Sequence, residues 1–410
     1  MPQPLAGFRV VDFSHVMAGP FATQFLRLLG AEVTKIEPPG RGDLFRNYGP
    51  DRRYDGMAPA FIAANVGKES IALDLKQPEG IEIARRLIAQ ADVVVENFRP
   101  GVIDKLGFGY ETCKALNPKI VFCSVSGYGQ DGPMRDYPAI DNVVQATSGM
   151  MSVNGAVGDP PSRVGVPVVD TYVGTLAALA VLSALLQRER FGGSQYIDVS
   201  MLDASLLLLI GAAVPYLVTG RIPPRTGNTG YSAQPTAGMF ETADRSLISL
   251  GVVQQNQYES LCRALGRPDL LADPRFATLD DRARPENSQA LTVILTETFG
   301  ERSGAAWEAL LSGAGVPCGL VRDVGSACDL PHIDTRNLKL PIHIPGLPDR
   351  QDVHVLNAGF LFEHDGPGCD VPPPRLGEHS VPILQQLGYS AAEIEDLRAR
   401  RVVVQADLPA

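Results

Sequence analysis

Short apolar segments alternate with helix-like segments in the first half of the chain, and this rhythm limits the fold more than any other feature. Six segments have the length and composition of buried strands: Phe8–Phe13, Glu32–Glu37, Ser70–Leu75, Asp92–Phe98, Lys119–Val125 and Gln195–Ser200. Amphipathic stretches between them, such as Pro20–Gly30 and Pro78–Ala91, predict helices. Strands separated by helices of this size form parallel βαβ units. The sequence therefore predicts an α/β fold with a Rossmann-like parallel sheet.

The turn after the first predicted strand reads SHVMAGP (Ser14–Pro20) and not GxGxxG. A nicotinamide dinucleotide normally needs glycines there because the backbone must approach the pyrophosphate closely. The sequence also has no glycine-lysine phosphate loop, no HExxH or GxSxG motif and no metal-ligand spacing. We therefore expect neither a nicotinamide site nor a metal site.

Composition narrows the class of protein further. The net charge of −10 argues against nucleic acid as a partner. The six cysteines are far apart, and no signal peptide is expected, which favours free thiols and a cytoplasmic location. The two most apolar runs, Val173–Leu186 and Leu206–Val214, are shorter than a membrane span needs, so we expect core helices and no membrane. A length of 410 residues favours two domains.

The pattern changes near Pro223. The segment Ile222–Thr236 is rich in Pro, Gly, Ser and Thr and is typical of a linker or loop. The following region, Met239–Asp323, mixes a hairpin-like segment with three predicted helices and favours a smaller α+β domain: Tyr258–Leu265, Asn287–Phe299 and Ala305–Ser312. The C-terminal segment Val381–Arg401 again predicts helix, and Ser390 with Glu393 matches a capping box.

Asp170 lies where a short apolar run gives way to a long helical pattern. Val164–Val169 predicts a buried strand, and the alanine- and leucine-rich residues that follow Asp170 predict a packed helix. A strand-to-helix turn can present one side chain to a ligand, and the N-terminus of a helix favours an ionised carboxylate. The alternative is that Asp170 only caps the helix, with Thr171 sharing that role. From these residues alone, the cap is the simpler interpretation.

Seven sequence blocks occur together in this chain: Arg9–Asp43, Asn65–Gly80, Ala91–Tyr110, Asn117–Pro133, Val164–Leu179, Phe191–Ala204 and Pro374–Ser380. In this order they resemble the family III CoA-transferases, the group that includes formyl-CoA transferase and the carnitine CoA-transferases. The blocks cover nearly the whole chain. The resemblance implies a Rossmann-like large domain built from both chain ends (1–220 and 331–410), a small α+β domain with linkers at 221–330, and an interlocked, ring-like homodimer.

The resemblance also implies a reaction. Asp170, in the block GVPVVDTYVGT, matches the covalent nucleophile of enzymes that move CoA from an acyl-CoA donor to a carboxylic acid acceptor. The chemistry passes through an aspartyl anhydride and an aspartyl-CoA thioester, and it needs no permanently bound cofactor because acid derivatives of similar energy interconvert. Positions that contact coenzyme A in the family match a further set of residues: His15, Val16, Met17, Ala18, Leu73, Lys76, Asn97, Phe98 and Lys105.

Two single residues, Met17 and Pro38, depart from the family pattern. Met17 stands where formyl-CoA transferase has a glutamine that helps hold reaction intermediates, so the oxalate and formate pair is not expected. Pro38 stands where formyl-CoA transferase has an arginine that meets the nucleotide, so we expect Arg41 or Arg46 to replace it. Asp141 matches an acidic position near the catalytic centre and is expected at most to assist.

Two other functions stay open at this point. The α-methylacyl-CoA racemases share the fold but carry a histidine at the position of Ile140, so one of their usual bases is missing here. A non-catalytic CoA-binding protein is the second alternative, and the intact block around Asp170 argues against it.

Overall fold

Strands are spread over the whole chain in the structure, a computed structural model that describes residues 2–229, 232 and 234–406. The outer limits of the predicted domains, residues 1 and 410, lie outside the described residues. The strands in chain order are β1 (Arg9–Asp12), β2 (Glu32–Glu37), β3 (Glu69–Leu73), β4 (Val93–Glu96), β5 (Val121–Ser126), β6 (Gln195–Ser200), β7 (Met239–Glu241), β8 (Leu247–Leu250), β9 (Cys318–Leu320), β10 (Lys339–His343), β11 (Asp352–Leu356) and β12 (Val403–Val404).

Helices connect most of these strands. They are α1 (Ala18–Leu28), α2 (Pro59–Ile62), α3 (Pro78–Ala89), α4 (Val102–Lys105), α5 (Tyr110–Leu116), α6 (Asp141–Thr147), α7 (Met150–Val153), α8 (Val168–Phe191), α9 (Met201–Leu208), α10 (Ile210–Thr219), α11 (Gln255–Ala264), α12 (Asp269–Ala272), α13 (Leu279–Ala283), α14 (Pro285–Phe299), α15 (Gly304–Gly313), α16 (Val324–Cys328), α17 (Pro331–Thr335), α18 (Ser380–Gln386) and α19 (Ala391–Ala399). Short 3-10 turns occupy Leu44–Asn47, Arg52–Tyr54 and Pro274–Phe276.

The main sheet has seven strands in the order β12-β3-β2-β1-β4-β5-β6. All neighbours are parallel except β12, which pairs antiparallel with β3. Val10 in the central strand lies opposite Val33 of β2 and Val93 of β4. The predicted α/β class with a large, mainly parallel sheet is confirmed. The order β3-β2-β1-β4-β5-β6 is that of doubly wound nucleotide-binding sheets.

Helices cover both faces of this sheet. In β4, Val93 and Val95 pack into a core that contains α1 and α8, whereas Val94 packs on the opposite face with α3, α18 and α19. This alternation follows from the two-residue period of a strand. Because both faces are covered, most strands of this sheet are rich in buried apolar residues, which is typical of parallel sheets.

The predicted strand Val164–Val169 is wrong, because residues 164–167 form no strand and helix α8 already begins at Val168. Pro167 explains the difference. Proline has no N–H to donate to a sheet, and its fixed φ suits the entry to a helix. Asp170 therefore lies in the first turn of α8 rather than at a strand end.

Helix α8 also corrects the expectation that every apolar run is too short to span a membrane. It has 24 residues and is long and apolar enough to cross one by length and composition, as is the bent pair α9 and α10 taken together. About half of its most apolar window, 44%, is buried, and it packs along α1, β5 and β6. A core helix passes the same test of length and composition.

The chain divides into two compact units. The larger comprises Met1–Met150, Val164–Gly220 and Pro331–Ala410, and the smaller comprises Met151–Arg163 and Arg221–Leu330. Residues 151–163 therefore belong to the smaller unit, although the predicted limits place them in the large domain. The smaller unit contains an antiparallel sheet in the order β7-β8-β9, and its core includes the buried side chain of Trp307.

The C-terminal segment differs from its prediction in detail. Instead of one helical stretch over Val381–Arg401 there are two helices, α18 and α19, separated at Gly388, whose φ is +88°. The predicted capping box is confirmed, because Ser390 and Glu393 exchange hydrogen bonds at the start of α19. The two-residue strand β12 is too short for a sequence pattern to predict.

Candidate functional site

The turn His15–Ala18 follows β1 at the carboxyl edge of the sheet, directly beside the end of β4. In the observed strand order, β1 and β4 are the neighbours between which the chain reverses its direction of winding. Ligands of open α/β sheets bind at the carboxyl ends of the strands at this position. The topology therefore gives the turn a location suited to a ligand.

Asn97, just beyond β4, holds this turn by its backbone. Its Oδ1 accepts a hydrogen bond from the His15 N–H at 2.8 Å, and its Nδ2 donates to the His15 carbonyl at 2.8 Å. The next residue, Phe98, packs its ring against the His15 imidazole, with 5.6 Å between ring centroids. Burial, together with the nearby charge of Lys35, lowers the pKa of His15, which is therefore neutral near pH 7.

Buried charged side chains hold the rest of the turn. Asp12 accepts from the Ser14 N–H at 2.8 Å, and Asp43 accepts from the Val16 N–H at 3.0 Å. Lys35 donates to the Ser14 carbonyl at 2.6 Å and forms an ion pair with Asp43 at 2.9 Å. Burial alone would raise the pKa of both carboxyl groups, but the neighbouring lysines outweigh it and hold each pKa below its usual range.

Val16 has a φ of +71°, in the left-handed region. A β-branched residue is a genuine outlier there, since its side chain crowds the backbone. Such conformations cost on the order of 1–3 kcal/mol and persist only where the surroundings over-determine them. Three hydrogen bonds supply that constraint. Asp43 accepts from the Val16 N–H, Asn97 accepts from the preceding N–H, and Lys35 donates to the Ser14 carbonyl.

Asp170 is the third residue of α8, and its carboxylate does not cap the helix. The N-cap position is Pro167, which has no side-chain cap. Instead, Asp141 from α6 caps α8 from outside, because its Oδ2 accepts from the Val169 N–H at 2.8 Å and the Asp170 N–H at 3.1 Å. The cap interpretation of Asp170 is therefore wrong. Thr171 does not cap either, since its hydroxyl donates back to the Pro167 carbonyl at 3.1 Å.

Gln145 fixes Asp141 in this position. Its Nε2 donates to Asp141 Oδ1 at 2.6 Å, and its Oε1 accepts from the Val164 N–H at 2.8 Å. Gln145 is buried. One helical turn of α6 thus supplies both the cap of α8 and the support for the chain that leads into it.

The pKa of Asp170 is raised to about 7, chiefly by burial and further by the charge of Asp141. No cation contributes to this shift among the groups that the structure describes. A carboxylate with a high pKa is more basic and more nucleophilic than a surface carboxylate. Asp170 near neutral pH is thus a half-buried group poised between its two protonation states.

The nucleophile candidate and the turn lie on neighbouring helices that pack closely. Gly174, one helical turn after Asp170, allows this approach, because a Cβ there would lie 2.7 Å from the Ala18 carbonyl oxygen and 3.0 Å from Phe21 Cβ. Residues four apart share one face of a helix. Asp170 therefore lies on the face of α8 that meets the start of α1.

Residues 5–380 match the sequence profile described as CoA-transferase family III. The chain belongs to this family. Two relatives extend the match over almost the full length of both partners. The acetyl-CoA:oxalate CoA-transferase of Acetobacter aceti is 37% identical over 95% of this chain and 97% of its own. The succinyl-CoA–D-citramalate CoA-transferase of Chloroflexus aurantiacus is 34% identical over 98% of each.

The fold agrees with this membership. A CAIB/BAIF family protein from Brucella suis has a solved structure that is similar to this chain with a TM-score of 0.82 and 34% identity, covering 94% of this chain and 100% of that one. The predicted resemblance to family III CoA-transferases is thus confirmed. With homologous CoA-transferases matching at this level over nearly the whole chain, the protein is an acyl-CoA:carboxylate CoA-transferase.

The structure brings only part of the expected CoA-contacting residues together. The turn residues and Asn97 with Phe98 form one group around the end of β1. Lys76 and Lys105 are both exposed. Lys76 follows strand β3, and Lys105 is the last residue of α4, which follows strand β4. Leu73 differs, since it is 1% exposed and packs in the core below α18.

Arg46 does not fit the role expected for it as a replacement for the missing arginine at Pro38. It is 2% exposed and forms a two-point pair with Glu37, at 2.8 Å to Oε1 and 2.6 Å to Oε2. Its guanidinium also lies 3.9 Å from the centre of the Phe61 ring. Arg41, by contrast, is exposed.

Sequence reasoning missed Lys35, Asp43 and Gln145. A lysine in the strand pattern EVTKIE suggests a solvent-facing position, yet Lys35 is fully buried. The sequence gives one signal for Lys35 and Asp43, namely that both lie inside the family block Arg9–Asp43. That position does not reveal what their side chains contact. Within the described residues, no cluster of three or more His, Cys, Asp or Glu side chains could hold a metal ion.

Proposed function

We propose that this CoA-transferase works through covalent intermediates on Asp170. The observation that carries the proposal is the half-buried Asp170 carboxylate, with its pKa raised to about 7, on the helix face that meets the turn after β1. A buried carboxylate without a neutralising cation is costly as a structural element. It is useful as a nucleophile that must be partly desolvated.

The proposed reaction begins with attack of the Asp170 carboxylate on the thioester carbonyl of the donor. The C–S bond breaks, CoA leaves as a thiolate, and a mixed anhydride remains. The thiolate then attacks the side-chain carbonyl of Asp170, the donor acid leaves as a carboxylate, and an aspartyl-CoA thioester forms. The acceptor carboxylate repeats these steps in reverse. No proton is gained or lost overall, because every leaving group departs as an anion.

Coenzyme A is proposed to bind along the carboxyl edge of the sheet. Support comes from the turn His15–Ala18 at the switch point and from the exposed ammonium groups of Lys76 and Lys105, which can meet phosphates. Asn97 takes part by holding the turn, since both polar atoms of its amide are already bonded to His15. For Leu73 we propose a contact through its backbone, because its side chain is buried.

The position before Asp141 favours transfer over racemisation. Ile140 is 63% exposed and cannot exchange a proton. A two-base racemase would lack one base at this place. Incubation with a chiral 2-methylacyl-CoA in D2O should leave the α-proton in place, and rapid deuterium uptake would support the racemase instead. A non-catalytic CoA-binding role would leave the unneutralised Asp170 without a purpose.

We propose that the protein is a homodimer with interlocked chains. Large apolar side chains are exposed along α8, α9 and α10: Leu179, Leu186, Leu206, Leu207, Ile210, Val214, Leu217 and Val218. Exposed apolar side chains in this number often mark a protein interface, and a second copy is the partner that family membership favours. Sedimentation at micromolar concentration should give a dimer, and a stable monomer would contradict the proposal.

We also propose that the enzyme is cytoplasmic and holds no permanently bound cofactor. Neither a membrane nor a nucleic acid is proposed as a partner. The reaction exchanges acids without an external reductant or energy source, which supports the absence of a cofactor. The net negative charge argues against a nucleic-acid partner. Cell fractionation and activity after exhaustive dialysis against chelator test these points. The relatives are named for different acids, so the acyl donor and the acceptor acid are best found by screening CoA thioesters against carboxylates.

Hydroxylamine provides the direct test of the covalent mechanism. Added during turnover, it should convert the activated carboxyl group into a hydroxamate on the peptide that contains Asp170, and mass spectrometry should locate the change. The Asp170→Asn variant is the control and should give no hydroxamate. Label on Asp141 or Asp198, or no label with full exchange activity, would overturn the assignment.

A further inference from the structure

Buried or partly buried side chains form hydrogen bonds with the N–H groups of Ser14, His15 and Val16 and with the carbonyls of Ser14 and His15. Asp12 holds the Ser14 N–H, Asn97 holds both the N–H and the carbonyl of His15, and Asp43 holds the Val16 N–H. Regular secondary structure usually satisfies backbone groups at lower cost, since each buried charge must be desolvated. Such an arrangement indicates a turn that must keep one geometry.

Lys35 connects the two sides of this arrangement. Its ammonium donates to the Ser14 carbonyl at 2.6 Å and pairs with Asp43 at 2.9 Å, and the side chains of both ionic partners are 0% exposed. Lys35 lies in β2, and Asp43 lies in the loop that follows that strand. The Lys35 ammonium thus fixes both the Ser14 carbonyl and the Asp43 carboxylate that accepts from the Val16 N–H.

We propose that Lys35 and Asp43 are positioning residues for the CoA-transfer reaction. They hold Val16 at its φ of +71° and thereby set where the following backbone, Met17 and Ala18, stands relative to Asp170 on α8. This inference rests on the proposed function, since it takes the turn to meet the reacting thioester. Neither side chain touches the substrate, because both are fully enclosed.

The loss of the pair should reduce kcat more than it raises KM. A turn that relaxes from a strained geometry can still bind the long CoA molecule through its other contacts, whereas the reacting atoms tolerate little displacement. A misplacement of about 1 Å can reduce the rate by about 100-fold. A merely structural role predicts a different result, namely a lower melting temperature with kcat unchanged for the folded fraction.

The chain contains a matched control at the opposite edge of the sheet. Asp92 accepts from the Arg9 N–H at 2.8 Å and pairs with the largely buried Arg188 at 3.0 Å. This pair repeats the contacts of Asp43 with the Val16 N–H and Lys35, but it lies at the amino end of β1 and β4, away from the turn. Arg188→Met and Asp92→Asn therefore match Lys35→Met and Asp43→Asn.

The experiment measures kcat, KM for acyl-CoA and melting temperature for the four variants. We expect Lys35→Met to lower kcat about 100-fold and Asp43→Asn about 10-fold, with KM changed less than about threefold, because the asparagine oxygen can still accept from the Val16 N–H. The two controls should lower the melting temperature and leave kcat within about twofold. If Lys35→Met does not fold, Asp43→Asn against Asp92→Asn decides the question.

Two outcomes would overturn the inference: a kcat close to wild type in folded Lys35→Met or Asp43→Asn, or an equal loss of kcat in the controls. The proposed function fails in a distinguishable way. If Asp170→Asn retains exchange activity, the covalent mechanism is wrong whatever Lys35 does. If Asp170→Asn is inactive and Lys35→Met is not impaired, only the positioning role is lost.

Discussion

Two groups of buried carboxylates in the larger unit have opposite surroundings. Asp12, Glu37 and Asp43 are at most 1% exposed, and each faces a buried lysine or arginine that keeps its pKa below the usual range. Among the residues that the structure describes, no cation pairs with Asp170 or Glu96, and the pKa of each is raised to about 7. The same functional group thus has a lowered pKa in one region and a pKa near neutrality in the other.

This difference separates structural from reactive carboxylates. Where a cation neutralises the charge, the pKa of a carboxylate is lowered, so the group is ionised at neutral pH and can hold backbone amides. Where burial is not offset by a cation, the carboxyl group has a raised pKa, which chemistry can use. Burial alone therefore does not indicate function, and burial without neutralisation marks a candidate only where, as for Asp170, a second observation places the group at the site.

Replacing Asp170 should give the largest effect. Asp170→Asn keeps the shape of the side chain but removes the nucleophile, so we expect a loss on the order of 10³-fold or more in kcat with substrate binding much less changed. Folding should be preserved, since Asp170 does not cap α8 and the substitution removes a charge that faces Asp141. Steady-state kinetics and calorimetry measure both. Near-normal CoA exchange by the Asp170→Asn variant would show that Asp170 is not the nucleophile.

Replacing Asp141 should give a smaller effect that depends on pH. In the wild type, the ionised fraction of Asp170 and hence kcat should fall as the pH drops through about 7. Asp141→Asn removes the like charge, so the pKa of Asp170 decreases and the acidic limb of the pH profile moves to lower pH.

The expected result is a several-fold gain in relative activity at pH 6, normalised to pH 8 for each enzyme. The asparagine oxygen can still accept from the Val169 and Asp170 amides, and Asp141→Ala, which cannot, separates capping from charge. An unmoved acidic limb in Asp141→Asn would mean that Asp141 does not set the titration of Asp170.

The smallest effect concerns Glu96 and should appear in stability. Burial raises the pKa of Glu96 to about 7, and its carboxylate accepts from the Phe98 N–H at 2.8 Å. Because the folded pKa lies above the unfolded one, the native state binds more protons, and stability falls as the pH rises from about 4.5 through 7.

Glu96→Gln abolishes this dependence and should raise the free energy of unfolding by about 2 kcal/mol at pH 8, with little gain at pH 5. Urea denaturation at the two pH values measures the difference. A gain that is equal at both would show that the charge of Glu96 is not the cause.

Much of the sheet could be predicted because each of the strands β1 to β6 carries its own local signal, whereas the two-residue β12 does not. The segment Gln195–Ser200 and the segment Glu32–Glu37 coincide with β6 and β2, since apolar residues of strand length between helices leave few alternatives. The segment before Asp170 failed for a physical reason. Its valines have strand propensity, but Pro167 has no N–H to donate to a neighbouring strand, and its φ suits the start of a helix.

The contacts that define the site could not be predicted from local patterns. The cap of α8 comes from Asp141, 29 residues earlier, and the support of the turn comes from Asn97, 82 residues after His15. Such bonds depend on the tertiary arrangement and leave no periodic trace. The motif resemblance named Asp170 and Asn97, but not that the Asn97 side chain is fully engaged by the backbone of the turn.

The pairing of β12 with β3 has a consequence for biosynthesis. Val403 and Val404 lie beside Leu73 and Ala72, roughly 330 residues earlier in the chain. At about 5–20 residues per second, the ribosome delivers these partners tens of seconds after β3 has emerged. During that interval an apolar strand with Ile71 and Leu73 has an open edge that any other strand could join. The edge of β3 is therefore covered later in synthesis than any other paired strand edge of the main sheet.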